Sequence, residues 1–363
     1  MLAAGTQAPV APGTVSPLDL RVSFLWKEIV GPIEPFLETV ARRLVDQVES
    51  FDPEIAQYAR YALTNGGKQL RPVLVGLSGR SIGQLNDDII LAAVIIEMIH
   101  LATLVHDDIV DAAEIRRRRP TLAANWGNEI SVLLGDCLFA QALKLSAEHL
   151  TLPVCQAVAS ATKTVCSGEI LQTLRRRRVS GAREEYFKIL AMKTGELFAL
   201  SCDLGARLAG GADGERLALR DYGLAFGTAY QVYDDCLDVF GTEAAAGKSL
   251  GTDLANGKLT LPTLVVLERA SEPDRLRLRE LFREWRPECL PDLMALLREY
   301  DALGESRRVI CDYVKTARKA LALLPSSTSR ECLIQLTELL AQQTRILGGH
   351  ADRSCGHEDG NDC

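Results

Sequence analysis

The chain has 363 residues, 47% of them apolar and 25% charged, with a net charge of −7. Length alone permits one large helical domain or two average ones, the apolar share is ample for a core, and the acidic balance lacks the basic stripe of a nucleic-acid binder, so no nucleic-acid partner is expected. Ten cysteines are scattered, mostly through apolar helical stretches with no secretory signal ahead of them, so a reduced cytoplasmic setting is expected rather than a disulfide framework.

Residues 1–20 read as a disordered leader, because the stretch from Met1 to Ser16 has neither charge nor the apolar core of a signal peptide. Hydrophobic positions then recur at helical spacing, as in Leu190, Leu197, Leu200 and Leu204, and no alternating strand of useful length stands between turn signals. The expected fold class is all-α, with about ten to thirteen helices in a single large bundle over residues 21–347. The Gly- and Asp-rich tail, 348–363, holds His350, Cys355, His357 and Cys363, a loose set read as disordered rather than as a metal site.

Taken along the chain, Gly66-Gly67-Lys68-Gln69-Leu70-Arg71-Pro72 sets two glycines before two cations three residues apart. A phosphate site and a helix cap with solvent-facing cations both fit. The longest apolar run, Ile89 to Val105, is rich in β-branched residues, but more than twenty residues pass from Asp87 to Arg119 without Gly or Pro, so length decides for helix. Glu97 and His100 interrupt the run, and it falls short of the roughly 20 apolar residues of a membrane span. It reads as a buried central helix with no transmembrane segment, and polar residues on it are therefore informative.

That helix ends in Asp107, Asp108 and Asp111, spaced i, i+1, i+4, so Asp107 and Asp111 project from one face. Asp234, Asp235 and Asp238 repeat the spacing at the end of a second apolar stretch, Tyr222 to Val239. One such cluster alone reads as a solvated helix end, but a matched pair in apolar contexts needs positive charge between the carboxylates. Magnesium fits, since it takes oxygen ligands and binds through one or two carboxylates plus phosphate oxygens. An EF-hand lacks its alternating ligands here, and zinc lacks Cys/His spacing.

Arg116 to Arg119 follow the first cluster, where guanidinium groups suit a diphosphate. Arg175 to Arg178 read as a solvated or oligomer-facing run. His100, two turns before Asp107 on nearly the same face, is either a buried structural histidine or part of the acidic site. Lys248 and Lys258 stand in glycine-flanked settings that suit a loop closing on phosphate.

Together these motifs resemble the trans-isoprenyl diphosphate synthases, the farnesyl, geranylgeranyl and long-chain polyprenyl synthases, from about Glu38 to Arg345. The resemblance rests on the Gly-Gly-Lys segment, both aspartate clusters, the arginine pair, Gly135-Asp136, Gly168-Glu169 with Gln172, Lys193-Thr194, Gln231 and Lys258-x-Thr260-Leu261-Pro262. It implies a helical bundle around a deep cavity, in a homodimer, that joins isopentenyl diphosphate to an allylic diphosphate primer with Mg2+. By the same resemblance Lys68, Arg71, His100 and Arg117 hold isopentenyl diphosphate. Arg116, Lys193, Lys248 and Lys258, with magnesium on Asp107, Asp111 and Asp234, hold the allylic diphosphate. Gln172, Thr194 and Gln231 line the site, and Asp108 and Asp235 complete the catalytic set.

Two positions depart from the family pattern: Gln69 stands where many members carry a cation, and Arg118 where glycine commonly follows the arginine pair. Ala102, five residues before Asp107, leaves space where short-chain members often place an aromatic plug, so a long-chain product is expected. A class I terpene cyclase would carry Asn, Ser and Glu ligands in its second motif and would not need Lys68 and Arg71 for a second diphosphate. A non-catalytic subunit of a heteromeric synthase would have lost metal ligands.

Overall fold

The computed structural model describes residues 17–64, 69–117, 119–178, 182–242 and 250–349. The centre of the molecule is the helix predicted from the long apolar run. This α5, Asp87–Val110, begins where the Asn86 side chain accepts the Ile89 N–H, with Asp87 and Asp88 favourably placed in its first turn. It buries Ile89, Ala92 to Ile96, Met98, Ile99, Ala102 and Val105. At 24 residues it is longer than the apolar run alone, and with α7 it is long and apolar enough to span a membrane by composition. Within the fold it is a core helix, enclosed by its neighbours.

Ahead of α5 come α1 (Pro17–Val30), α2 (Glu34–Glu49), α3 (Pro53–Thr64) and α4 (Leu70–Ile82). The first helix thus starts inside the segment expected to be a leader. After α5 a two-residue antiparallel hairpin, β1 (Ile115–Arg116) with β2 (Arg119–Pro120), pairs Arg116 with Arg119. Then follow α6 (Leu122–Trp126), α7 (Asn128–His149), α8 (Leu152–Leu174) and α9 (Arg183–Leu190). A π-helical turn, Ala191–Gly195, leads into α10 (Glu196–Leu208), and α11 (Asp213–Phe240) follows. The remainder is α12 (Thr252–Ala255), α13 (Leu261–Arg269), α14 (Glu272–Arg283), α15 (Leu290–Glu299), α16 (Ala302–Leu321) and α17 (Thr328–Ile346).

The all-α expectation holds, but the described residues contain seventeen α-helical segments rather than ten to thirteen. The surplus includes pieces such as α6 and α12, too short to show a hydrophobic period. Packing is densest along α10, which is buried from Leu197 to Ala206 and lies between α4 and α11. Glycines permit that approach: a Cβ on Gly205 would stand 2.3 Å from the Val75 carbonyl oxygen, and one on Gly223 2.6 Å from that of Phe198.

Candidate active site

A cavity of about 1410 Å³ opens at the C-terminal end of α5. Its walls take Arg71 from α4, His100, Asp107 and Asp111 from α5 and its end, and Gln172 from α8. Lys193 and Thr194 enter from the π turn, Gln231 and Asp234 from α11, and Lys258 from the loop before α13. Residues predicted from positions nearly two hundred apart in sequence therefore share one space.

In the first cluster every aspartate meets a cation. Asp107 lies 3.6 Å from the Lys193 ammonium, which also pairs with Glu169 and donates to Gln172 Oε1 at 3.0 Å. Burial alone would lower the Lys193 pKa, but Asp107 and Glu169 outweigh it and raise it. Asp108 is buried and accepts from Arg116 Nε at 2.7 Å; burial raises its pKa, and Arg116 opposes that rise. Asp111 has cations on both oxygens, Arg176 Nη2 at 2.5 Å and Lys258 Nζ at 2.8 Å. Burial would raise its pKa, yet Lys258, Lys193 and Arg176 together hold it below the usual carboxylate value.

The second cluster repeats the spacing but not the surroundings. Asp234 faces the cavity beside Tyr230 and Tyr233. Asp235 is buried and accepts from Tyr186 Oη at 2.7 Å and Gln231 Nε2 at 2.9 Å. Burial, with Asp253 adding to it, pushes its pKa up to about 7. Asp238 is fully buried, off the cavity wall, and accepts from the Thr252 hydroxyl at 2.5 Å and the Asp253 N–H at 3.0 Å. It anchors the chain where α12 begins. Thr194 donates to Gln231 Oε1 at 2.8 Å, so a neutral relay runs from the π turn to Asp235.

At the other side Arg71, Glu97, His100 and Arg117 share the wall. Gln69, the residue before α4, takes a left-handed φ of 46°, and the Arg71 guanidinium lies 4.9 Å over the Phe198 ring with its Nε buried and without a hydrogen-bond partner. Burial lowers the Arg71 pKa to about 10, and nearby Glu97 opposes it. Burial, then Arg71, Arg117 and Arg116, drives His100 well below its ordinary value, so it is held neutral. Arg117 stands at φ 51° in the hairpin turn.

Several expectations change. The Arg175–Arg178 run is not merely solvated. Arg175 does pair with Glu185 at the surface, but Arg176 turns inward to Asp111, and the Arg177 N–H donates to the Gly257 carbonyl at 2.7 Å. A run of one residue type carries no period, so nothing in the sequence marks which arginine turns inward. Arg116, expected on a diphosphate, is engaged by Asp108. Ala102 is fully buried and off the cavity wall, whereas Thr103 lines it. Four residues before Asp107 is nearly the same helix face, and five is well over a quarter turn away. Glu97 and Tyr186 went unpredicted; a charge inside an apolar helix was the available signal for the first.

Lys68, Lys248, Gly66, Gly67 and Arg118, with the segments 1–16 and 350–363, lie outside the described residues. Among the described residues no three Asp, Glu, His or Cys side chains already converge at metal-binding geometry. The donors on the cavity wall are hard oxygens from Asp107, Asp111 and Asp234, which suit a hard divalent ion that also takes phosphate oxygens.

A profile of the family described as polyprenyl synthetase matches residues 52–300. The octaprenyl diphosphate synthase of Haemophilus influenzae is 33% identical over 313 residues, 86% of this chain and 95% of that protein. A short chain isoprenyl diphosphate synthase of Methanothermobacter thermautotrophicus is also 33% identical, over 87% of this chain and 99% of that protein. The polyprenyl synthase of Caulobacter crescentus CB15, solved with calcium and isoprenyl diphosphate, is 32% identical with a TM-score of 0.83, over 91% of this chain and 99% of that one. With that coverage, and with both aspartate clusters facing one cavity or buttressing it, the chain belongs to the polyprenyl synthetase family and is a prenyltransferase.

Proposed function

We propose that the enzyme condenses isopentenyl diphosphate head-to-tail with an allylic diphosphate and releases a long-chain all-trans polyprenyl diphosphate, with Mg2+ held by Asp107, Asp111 and Asp234. The observation that carries this reading is one cavity whose wall holds both an aspartate set, Asp107, Asp111 and Asp234, and an arginine pair, Arg71 and Arg117, with neutral His100 beside it. The calcium and isoprenyl diphosphate in the Caulobacter relative support a divalent ion beside a diphosphate.

In this reading the metal supplies counter-charge to the departing diphosphate. Lys193 and Lys258 add positive charge at the same end, so the allylic C–O bond ionises and its electron pair leaves with the diphosphate. Arg71, Arg117 and neutral His100 hold the diphosphate of isopentenyl diphosphate, whose double bond attacks the allylic cation. The proton lost afterwards passes to the released diphosphate. Leu101, Leu104, Val105 and Phe198 on the wall keep out water, which would quench the cation.

Identity to an octaprenyl and to a short-chain synthase is equal, so relatedness does not choose the product length. The small Thr103 on the cavity wall supports a long product. A homodimer is supported by exposed apolar residues on α7 and α8 outside the cavity, Leu133, Leu143 and Leu174. A cytoplasmic location belongs to the same reading, supported by the enclosure of α5 within protein. The test is purified enzyme with magnesium, labelled isopentenyl diphosphate and allylic primers of several lengths, with products sized by chromatography. Extension to long products is expected; failure to extend any primer overturns the assignment.

A further inference from the structure

Asp111 is held differently from its neighbours. Arg176 occupies its Oδ1 and Lys258 its Oδ2, and both cations come from segments distant in sequence, the turn after α8 and the loop before α13. Arg176 is fixed in place, with Nη1 donating to the Val110 carbonyl at 2.8 Å and only 18% of its side chain exposed. The next residue, Arg177, takes a left-handed φ of 61° and donates its N–H to the Gly257 carbonyl. A Cβ on Gly257 would come within 2.5 Å of Arg177 Cγ, and Gly257 itself stands at φ 67°, so this close approach calls for glycine. The arginine turn and the Lys258 loop are therefore joined main chain to main chain beside Asp111.

A metal ion approaching Asp111 meets two like charges already paired with its oxygens and has to compete with both for the carboxylate. Lys258, on its flexible stem, pairs with Asp253 at 3.6 Å as well as with Asp111, whereas the Arg176 fork is set by Val110. We propose that Arg176 is a resident counter-cation of Asp111 which a divalent ion must displace, making it a positioning residue that sets the metal affinity of the first aspartate cluster. This rests on the reading of Asp111 as a metal ligand. Arg176 keeps the cluster ordered and nearly neutral while the site is empty of substrate. A diphosphate arriving with the metal offers the displaced guanidinium a new anionic partner beside Asp111, so metal and diphosphate binding are coupled through this residue.

Manganese binding to the substrate-free enzyme, followed by loss of the free-ion paramagnetic signal, tests the proposal. Arg176→Met should tighten manganese binding roughly tenfold relative to the unaltered enzyme, a typical size for coupling between neighbouring ligands. Arg176→Lys should restore the weaker affinity, and Arg176→Gln, polar but uncharged, should behave as the Met variant does. Asp111→Asn should abolish the tightening when combined with Arg176→Met. Unchanged or weakened affinity in both Arg176→Met and Arg176→Gln, or no manganese binding in any variant, overturns the proposal. If Asp111→Asn alone weakens binding while the Arg176 variants do not alter it, only the role of Arg176 fails. If Asp111→Asn leaves binding unchanged, the assignment of Asp111 as a ligand fails with it.

Discussion

His100 is kept neutral by burial and by three arginines, Arg71, Arg117 and Arg116, with Glu97 the nearby carboxylate. Its folded pKa lies well below the value of about 6.5 that it has in the unfolded chain. Below pH of about 6.5 the unfolded chain takes up a proton that the folded protein refuses, so this contribution to stability is present above that pH and is lost as pH falls through it. Asp235, its pKa held up to about 7, acts with the opposite sign over the same range, so the His100 contribution is read as a difference. From pH of about 7.5 to about 5.5 the unfolding free energy of the unaltered protein should fall relative to that of His100→Gln, by at most about 1.4 kcal/mol per pH unit. Equal slopes in the two proteins would refute this. The aspartates divide in a similar way. Asp234→Asn should lower turnover on the order of 10²-fold or more, the scale of losing one electrostatic partner of a transition state, with little change in melting temperature. Asp238→Asn should act first on stability, since that side chain holds Thr252 and Asp253 rather than facing the cavity. The matched spacing of the clusters made both legible in the sequence, but spacing says nothing of what packs around each carboxylate, and there the second cluster diverges from the first.

Among the elements, α5 was legible because more than twenty residues without Gly or Pro outweigh β-branched composition. Which of its small residues faces the cavity depended on helical phase, and a difference of one position moved the wall residue from Ala102 to Thr103. Thr103→Phe should shorten the product by one or more isoprene units in the primer-extension assay while leaving the enzyme folded; unchanged products would place the length-setting wall elsewhere. Ala102→Phe should instead cost stability, because its site is fully enclosed. The seam of α10 with α4 and α11 makes a parallel case. Gly205→Ala would drive a methyl into the Val75 carbonyl and should cost about 1–3 kcal/mol, read as a lowered thermal midpoint. Helical periodicity marked the α10 stretch as helix, but it carries no information on which glycine touches which backbone.

For the whole molecule, the all-α body followed from helical patterning, and the shared cavity from the resemblance of the motifs to the synthases. The pairing of Arg176 with Asp111, 65 residues away, could not, because charge partners across a fold leave no local trace. Nor could the sequence separate an outer apolar face from core, and that face carries the dimer proposal: Leu133→Asp should shift the enzyme toward monomer in sedimentation, and an unchanged mass would count against that interface. The π turn at Ala191–Gly195 ties the halves of the site together in another respect. The helical run from Arg183 to Leu208 uses its front part to aim Tyr186 at Asp235 and its turn to aim Lys193 at Asp107. A π turn amounts to one extra residue in an α-helix, and each residue advances the helix by about 100°. Deleting one residue there would bring the rod back into uniform phase, and the two side chains could then no longer both point at their own cluster. The inserted residue thus sets the bearing of Lys193 on the first cluster relative to that of Tyr186 on the second, so loss of Ala191 would put the two contacts out of alignment without removing either side chain.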